Sequence, residues 1–540
     1  MTLLANWDDN TLPVKSDLSY NDCWGYAAAN NREYAILGSL EKVLFFEVTS
    51  PATMTAPIAT FTNGANSIWR DFKTYGHYAY ATADEGAEGL LVFDLANING
   101  TSSRVTQIFQ NNTTFTRCHN IYIDEPNRKL YCAGTNTING LTVFDINATT
   151  GIPTLCAQIP LNINGFTSGY IHDNFVRNGK IYCSHGYNGL RIYDVSGINA
   201  WQPGNPVITT MPLLGTNNMV SSGYNHSSWL NSAGTHLIMA EETHGKPLKV
   251  LDVSNPAAIG SFSSPTSTIQ SCMLCPAATT PIVHNPFVKG NLVFLAYYHE
   301  GVQVYDISNP ASPTKVAFYD TEPSNTTYSG YAGTWGTYPF LPSQKVLGSD
   351  VNNGLFVLQL PAALLPATLL DFKAEAKKDA VDLSWKTGVE SENMVFEVEK
   401  SKNGIYFEGF STWKSKDRNG ANYTCKDGNP NNGKNYYRLK QIEKDGRFEY
   451  SKIIEIDFNV SQNAKIYPNP SENGTINIAF NEKTNLEDVS VEIVDSQGRI
   501  IFIATKNIEA QLTIRDLPKG FYFAKVKING QLQVEKLNIF

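Results

Sequence analysis

The sequence predicts an all-β chain: a seven-bladed β-propeller followed by two small β-sandwich domains. Three observations predict it. A short strand ending in an acidic or polar residue recurs seven times, at the period of about 40–50 residues that marks a propeller. The chain carries 27 Tyr and 27 Phe, residue types that fit a pleated, half-buried surface. Its character also changes near residue 360. Before that point there are 17 Lys and Arg against 25 Asp and Glu, and after it 25 against 25, so the whole net charge of −8 lies in the first part. All nine histidines lie there too, between His77 and His299.

The recurring strands are LFFEV, LVFDL, LTVFDI, LRIYDV, LKVLDV, VQVYDI and LFVLQL, with Glu47, Asp94, Asp145, Asp194, Asp252, Asp306 and Gln359 as their marker residues. Each follows a second apolar strand and a turn, the pattern of a hairpin. An outer strand follows six of the markers: PIATF, VTQIF, LCAQI, VITTM, IGSF and KVAFY. None follows Gln359. The opening TLLANWDD resembles the outer strands, so residues 2–8 are expected to complete the seventh sheet and remove its exposed edge.

The expected domains are the propeller at 1–360, a proline-punctuated linker at 361–368, one sandwich at 369–457 and a second at 464–540. Trp385 and Tyr437 are the expected core aromatics of the first sandwich. An acidic chain with pI near 5.7 offers no clustered basic surface, which excludes nucleic acid as a partner. No apolar run approaches the length of a membrane span. MTLLANWDDN lacks a basic segment followed by an apolar one, as expected of a mature or trimmed chain. The eight cysteines suit an oxidising compartment but their spacing gives no pairing, and Cys272-x-x-Cys275 reads as a loop disulfide or two free thiols.

Chemistry concentrates where the innermost strands begin: Arg70-Asp71, His119-Asn120, His172-Asp173, His226-Ser227 and His284-Asn285. In a propeller the first strand begins and the second strand ends on the same face. The second-strand ends Asp84, Glu85, His185, Glu241, Glu242, His244, His299, Glu300 and Asp350 are therefore expected beside them. The candidate ligand-binding set is Arg70, Asp71, His119, His172, His226, His284, Glu241, Glu242, His299 and Glu300. Within it, His119, His172, His226 and His284 are candidate metal ligands, because imidazole and carboxylate suit Zn or Fe and paired carboxylates suit Ca. The competing reading is structural: a repeated histidine bonding backbone carbonyls between blades. Aromatics in the loops entering the inner strands, Trp69, Phe115, Phe166, Tyr170, Tyr224, Tyr328, Tyr331 and Trp335, serve either to grip a glycan or peptide or to pack between blades. Trp24-Gly25 and Trp335-Gly336 read as packing.

No nucleophile elbow, phosphate loop or strand-helix alternation is present, so no catalytic residue is assigned. The expected function is a surface module binding a glycan, peptide or protein at the channel mouth. A metal-dependent hydrolase or lyase using the same residues, and a purely structural surface component, are the alternatives.

Three resemblances add to this. LRIYDVSG, LKVLDVSNP and VQVYDISNPASP resemble LVIVD repeats, and YNDCWGY with SIWRDFK resembles the choice-of-anchor B family of bacterial surface proteins. Residues 369–457 look like a fibronectin type III-like spacer. Residues 464–540 resemble the type A sorting domain of the type IX secretion system, through Tyr467-Pro468-Asn469-Pro470, the Asp495 to Gly498 turn, Leu517-Pro518-Lys519-Gly520-Phe521-Tyr522, Gly530 and Lys536. That last resemblance implies the type IX secretion machinery as a partner, and location outside the outer membrane of a Bacteroidota-type cell.

Overall fold

In the computed structural model, residues 1–540 are described except 31, 63–65, 161–169, 201–206, 209–210, 218–222, 255–264, 272, 274–279, 329, 362–363, 365–368, 378–379, 388–393, 405, 417–420, 443–447, 459–463, 482–483 and 529. The chain divides into two compact units, one built chiefly on Met1–Thr368, the other beginning at Leu369 and running to Phe540.

Seven sheets make up the first unit among the described residues: six are antiparallel with four strands, and the third has four antiparallel strands and a short fifth. Their innermost strands are Tyr20–Ala27, Arg70–Tyr75, Asn120–Asp124, Asp173–Arg177, Asn225–Leu230, Pro286–Lys289 and Thr334–Tyr338. From the first sheet to the sixth, each innermost strand lies against that of the next sheet. The seventh lies against the sixth sheet and, on its other side, against Tyr20–Ala27 of the first. The sheets therefore form a closed ring, a β-propeller.

Burial explains why the middle strands read as apolar runs rather than alternations. A sheet with a neighbour on each side is covered on both faces, so both sets of side chains are apolar. Glu33–Ser39, Tyr78–Ala83 and Lys129–Ala133 are buried at every position. An apolar cluster fills each gap between consecutive sheets. Phe45 and Phe93 belong to the first gap, Tyr80 and Ile121 to the second, and Leu37 and Leu347 to the one between the seventh and first sheets. The acidic markers serve the turns that follow them. Asp194, Asp252 and Asp306 each accept hydrogen bonds from the backbone N–H and hydroxyl of the serine two residues on, at 2.5–2.9 Å.

The ring is closed by Thr2–Trp7, which pairs antiparallel with Gly354–Gln359 as the outer strand of the seventh sheet. Trp7 packs on Phe46 of the first sheet with ring centroids 4.7 Å apart, and the Tyr20 hydroxyl donates to Asp8 at 2.8 Å. Two expected outer strands differ. Val207–Ile208, part of VITTM, adds in parallel to Pro153–Ile159 of the third sheet, and Leu213–Asn217 pairs with Leu190–Asp194 instead. In the fifth sheet Ser267–Ile269 takes the outer place, while IGSF lies outside the described residues. In both cases the segment after the marker is long enough for a later strand to reach the edge, which an apolar run does not reveal. Cys23, Cys118, Cys132, Cys156, Cys183 and Cys425 are buried free thiols, and Cys272 and Cys275 lie outside the described residues.

In the second unit, Val381–Thr387 pairs with Leu369–Ala376 and Asn422–Asp427, and Val395–Ser401 with Glu408–Lys414. Trp385 stacks on Tyr423 at 5.1 Å, and Phe396 of the other sheet meets Tyr423 at 5.0 Å. Tyr437 is buried with its hydroxyl on Asp427 at 2.9 Å. The last module joins Lys465–Tyr467, Ile476–Ala479 and Gln511–Ile514 in one sheet and Ile500–Ala504, Val489–Asp495, Gly520–Ile528 and Gln531–Ile539 in another. Its Tyr-Pro-Asn-Pro segment has both X–Pro bonds cis. Asn469 ties it to the final strand through the Lys536 carbonyl at 2.7 Å and the Asn538 N–H at 3.1 Å. Tyr522 donates to the Pro518 carbonyl at 2.8 Å, and the Lys536 ammonium sits 4.4 Å from the centre of the Phe521 ring.

Removing residues 1–8 would uncover the Gly354–Gln359 edge and the Trp7 contact. Scanning calorimetry should show the propeller transition moved down by several degrees, as about 1 kcal/mol already shifts Tm by about 2–4 °C in domains of 150–250 residues; an unchanged transition would contradict closure by this strand.

Candidate functional site

The innermost strands descend along the axis in register, so residues at equal positions form layers. Histidine leads four of these strands. The backbone N–H groups of His119, His172 and His284 donate to the carbonyls of Ala133, Ser184 and Ala296 at the ends of their second strands, one repeated hydrogen bond at 2.8–3.1 Å. The radial arrangement sets the rings side by side. Centroids are 4.0 Å apart for His119 and His172, 4.2 Å for His172 and His226, and 4.2 Å for His226 and His284. Trp335 extends the arc, 4.7 Å from His284.

One nitrogen of three of these rings is engaged in the wall. Nδ1 of His172 lies 3.2 Å from the His226 carbonyl, Nδ1 of His284 2.5 Å from the Trp335 carbonyl, and Nδ1 of His119 2.9 Å from Asp84 Oδ2. A carbonyl accepts only from an N–H, so the proton of His172 and His284 sits on Nδ1 and the Nε2 lone pair is left over. Burial, with repulsion from neighbouring imidazoles, holds His172 and His226 well below the usual histidine range, and burial takes His284 to about 3. These three rings are neutral.

Glu242 completes the arrangement. Its Oε2 lies 3.7 Å from His226 Nε2 and its Oε1 3.9 Å from His284 Nε2, while the Tyr298 hydroxyl donates to Oε1 at 2.5 Å. Burial pushes its carboxyl up to about 7, against the opposing pull of the tyrosine bond. Two overlapping triads result: His119, His172 and His226, and His226, Glu242 and His284. In each, the three ligand atoms lie within 4.8 Å of one another. Against the four imidazoles lies a space of about 30 Å³, lined also by Asp22, Trp69, Arg70, Asp71 and Trp335. A water needs only about 10–15 Å³ of such space, so the chamber suits an ion or one or two waters and excludes a sugar ring.

Below the imidazoles lies a polar layer of Asp22, Asp71, Asn120, Asp173, Ser227 and Asn285, with the Lys73 ammonium 2.6 Å from Asp71. Below that the axis is filled by aromatic rings. Tyr122, Phe175, Trp229, Phe287 and Trp24 follow one another at 4.6–6.0 Å. The chamber therefore opens on the histidine side. Above it stand Tyr170 and Tyr224, whose hydroxyls are 3.2 Å apart, with Tyr187 5.1 Å from Tyr224 and Tyr331 5.5 Å from Tyr298. Tyr187 is 73% and Tyr331 47% exposed.

The other belt residues serve the walls. Arg70 donates to both carboxylate oxygens of Glu88 at 2.6 and 2.9 Å and to the Ser39 and Leu40 carbonyls, leaving little toward the mouth. Asp71 accepts from Lys73, Phe72 N–H and Ile121 N–H. Glu241 pairs with Lys249 at 2.7 Å. Glu300 accepts from Ser271, the Met273 N–H and the Tyr328 hydroxyl, and His299 stacks on Tyr328 at 4.9 Å. Phe115 and Tyr328 are buried, and Phe166 lies outside the described residues. A Cβ on Gly336 would meet Asp22 at 2.1 Å, and one on Gly25 would meet Tyr338 at 2.1 Å, so the two Trp-Gly pairs are packing elements. Tyr298 is the site residue that sequence reasoning missed. It stands one residue before His299 and carries no motif of its own.

Residues 465–539 match the secretion system C-terminal sorting domain, and residues 284–321, beginning on His284, match the LVIVD repeat. The chain carries a secretion sorting domain. The domain marks an exported protein attached to the cell surface of a Bacteroidota-type bacterium, and it implies contact with the secretion machinery. No helix among the described residues is long and apolar enough to cross a membrane. No curated protein matches the chain. Among solved structures, the β-propeller domain of Myceliophteria thermophila Cps50 (Swd1) is similar over 65% of this chain and all of its own, at 8% identity and TM-score 0.41. The C-terminal WD40 domain of Sif2 is similar over 65% of this chain and 84% of its own, at 11% identity and TM-score 0.38. The propeller assignment rests on the sheet topology.

Arg70→Ala should destabilise the exported protein by about 3–5 kcal/mol in urea unfolding, because Glu88 is left buried without its partner. A loss under about 1 kcal/mol would contradict its role in the wall.

Proposed function

We propose that this exported protein is a surface-attached binding module whose propeller mouth grips an extracellular glycan, peptide or protein. The observation that carries the reading is the aromatic rim. Tyr187 and Tyr331 stand largely in solvent above a polar, anionic opening, whereas most of the chain's large aromatics are buried. A flat ring with a hydroxyl offers apolar area and a hydrogen bond together, the usual means of holding a sugar face or an extended peptide. Among the described residues, the rim stands at the end of the axis away from the aromatic filling. The sorting domain supplies the location: display on the cell surface puts the mouth before extracellular molecules.

A metal-dependent hydrolase or lyase is the second reading, favoured by the cluster of imidazoles and Glu242 beneath that rim. It requires a ligand position open to substrate.

The test is retention of full-length protein on arrays of neutral oligosaccharides and of peptides. The double variant Tyr187→Ala, Tyr331→Ala is expected to lose at least about tenfold in affinity for whatever the wild type retains, with an unchanged melting curve, since both rings are exposed. Equal retention by the double variant would overturn the reading.

A further inference from the structure

We propose that the histidine chamber binds one divalent transition-metal ion, seated beside His226, with imidazole Nε2 atoms as ligands and Glu242 as the anionic ligand. This rests on the reading that the histidine mouth is the functional end of the propeller, and it specifies what that mouth contains.

The donor set carries the argument first. Four imidazoles and one carboxylate converge from the third, fourth, fifth and sixth sheets, and His226 belongs to both triads. Nitrogen ligands select zinc, copper, nickel or iron(II). Calcium, one of the ions the carboxylates had suggested, takes six to eight oxygens. Glu241 is held in the wall by Lys249, Glu300 by Ser271, Met273 and Tyr328, and Asp71 by Lys73 and two backbone N–H groups.

The outer contacts of three of the four histidines are those of a metal site. A ligating histidine nearly always donates its other N–H to a carbonyl or carboxylate, which fixes the ring and aims its lone pair. Here the Trp335 carbonyl does so for His284, the His226 carbonyl for His172, and Asp84 faces Nδ1 of His119. The Tyr298 hydroxyl orients Glu242 in the same way. A purely structural role for these histidines accounts for the Nδ1 bonds alone. It leaves unexplained why Nε2 of His226 and of His284 both face the Glu242 carboxylate, at 3.7 and 3.9 Å.

Distances agree. Tetrahedral zinc–nitrogen bonds of about 2.0–2.1 Å set ligand atoms about 3.4 Å apart. The donors of each triad lie within 4.8 Å of one another, and Glu242 is 3.7 and 3.9 Å from Nε2 of His226 and His284, so side-chain shifts of up to about one ångström close the shell. The chamber of about 30 Å³ has the matching size.

Full-length protein is stripped with a chelator and titrated with Co²⁺, read by its visible d–d absorption, and then with Zn²⁺ in competition; no organic ligand is present, so failure here is separate from failure of the rim reading. One equivalent per chain is expected. His226→Ala should weaken binding at least about tenfold, since loss of an outer-contact residue alone typically costs 10–100-fold. His77→Ala, at an exposed histidine, should bind as the wild type does. Should His226→Ala fail to fold, Cu²⁺ bound to the wild type gives an independent reading: electron paramagnetic resonance must show coupling to two or more imidazole nitrogens. Absence of stoichiometric binding, oxygen-only copper coordination, or unchanged affinity in folded His226→Ala would each overturn the proposal.

Discussion

The structure depends on one constraint: a four-stranded sheet that is apolar on both faces must have a neighbour on each side. Seven such sheets satisfy it only if the last meets the first. The pairing of Thr2–Trp7 with Gly354–Gln359 joins the two ends of the propeller segment, so that the Tyr20–Ala27 and Thr334–Tyr338 strands lie together. Without that seam, the cluster shared by Leu37, Phe46, Leu347 and Leu355 would face water.

Closure has a chemical consequence. It forces the start of every innermost strand toward one axis, so residues more than 160 positions apart, such as His119 and His284, become parts of one arc. Packing on the axis then sorts them by layer. Aromatics fill one end, an amide and carboxylate layer with the Lys73 ammonium lies in the middle, and imidazoles meet Glu242 at the other end. The low polarity that makes unpaired groups costly keeps His172, His226 and His284 uncharged, which leaves lone pairs where a charged ring would present only protons.

Much of this was legible in the sequence, for a physical reason. The third strand of each sheet is apolar, and in six of the seven it ends in an acid, of which Asp94, Asp194, Asp252 and Asp306 cap their own turns, so the repeat is local and visible. Because the repeat is local, the shared position of the four histidines could be read as well. Which belt residues face the chamber was not legible. Arg70 is turned to Glu88, Glu241 to Lys249 and Glu300 to Tyr328 by contacts that only the folded arrangement creates. The same holds for Tyr298, whose importance lies in reaching Glu242, 56 residues earlier. Outer strands were read less well than inner ones: they are partly exposed, and in the fourth sheet the apolar run nearest the marker is not the one that pairs.

The account stands or falls on convergence of four sheets at one point. An anomalous-scattering map from crystals of the full-length protein grown with Zn²⁺ tests it directly. A single peak on the propeller axis, within bonding distance of His226 and at least two of His119, His172, Glu242 and His284, is the result this account requires. Density showing those side chains apart from one another, or zinc only at surface histidines such as His77, would contradict it.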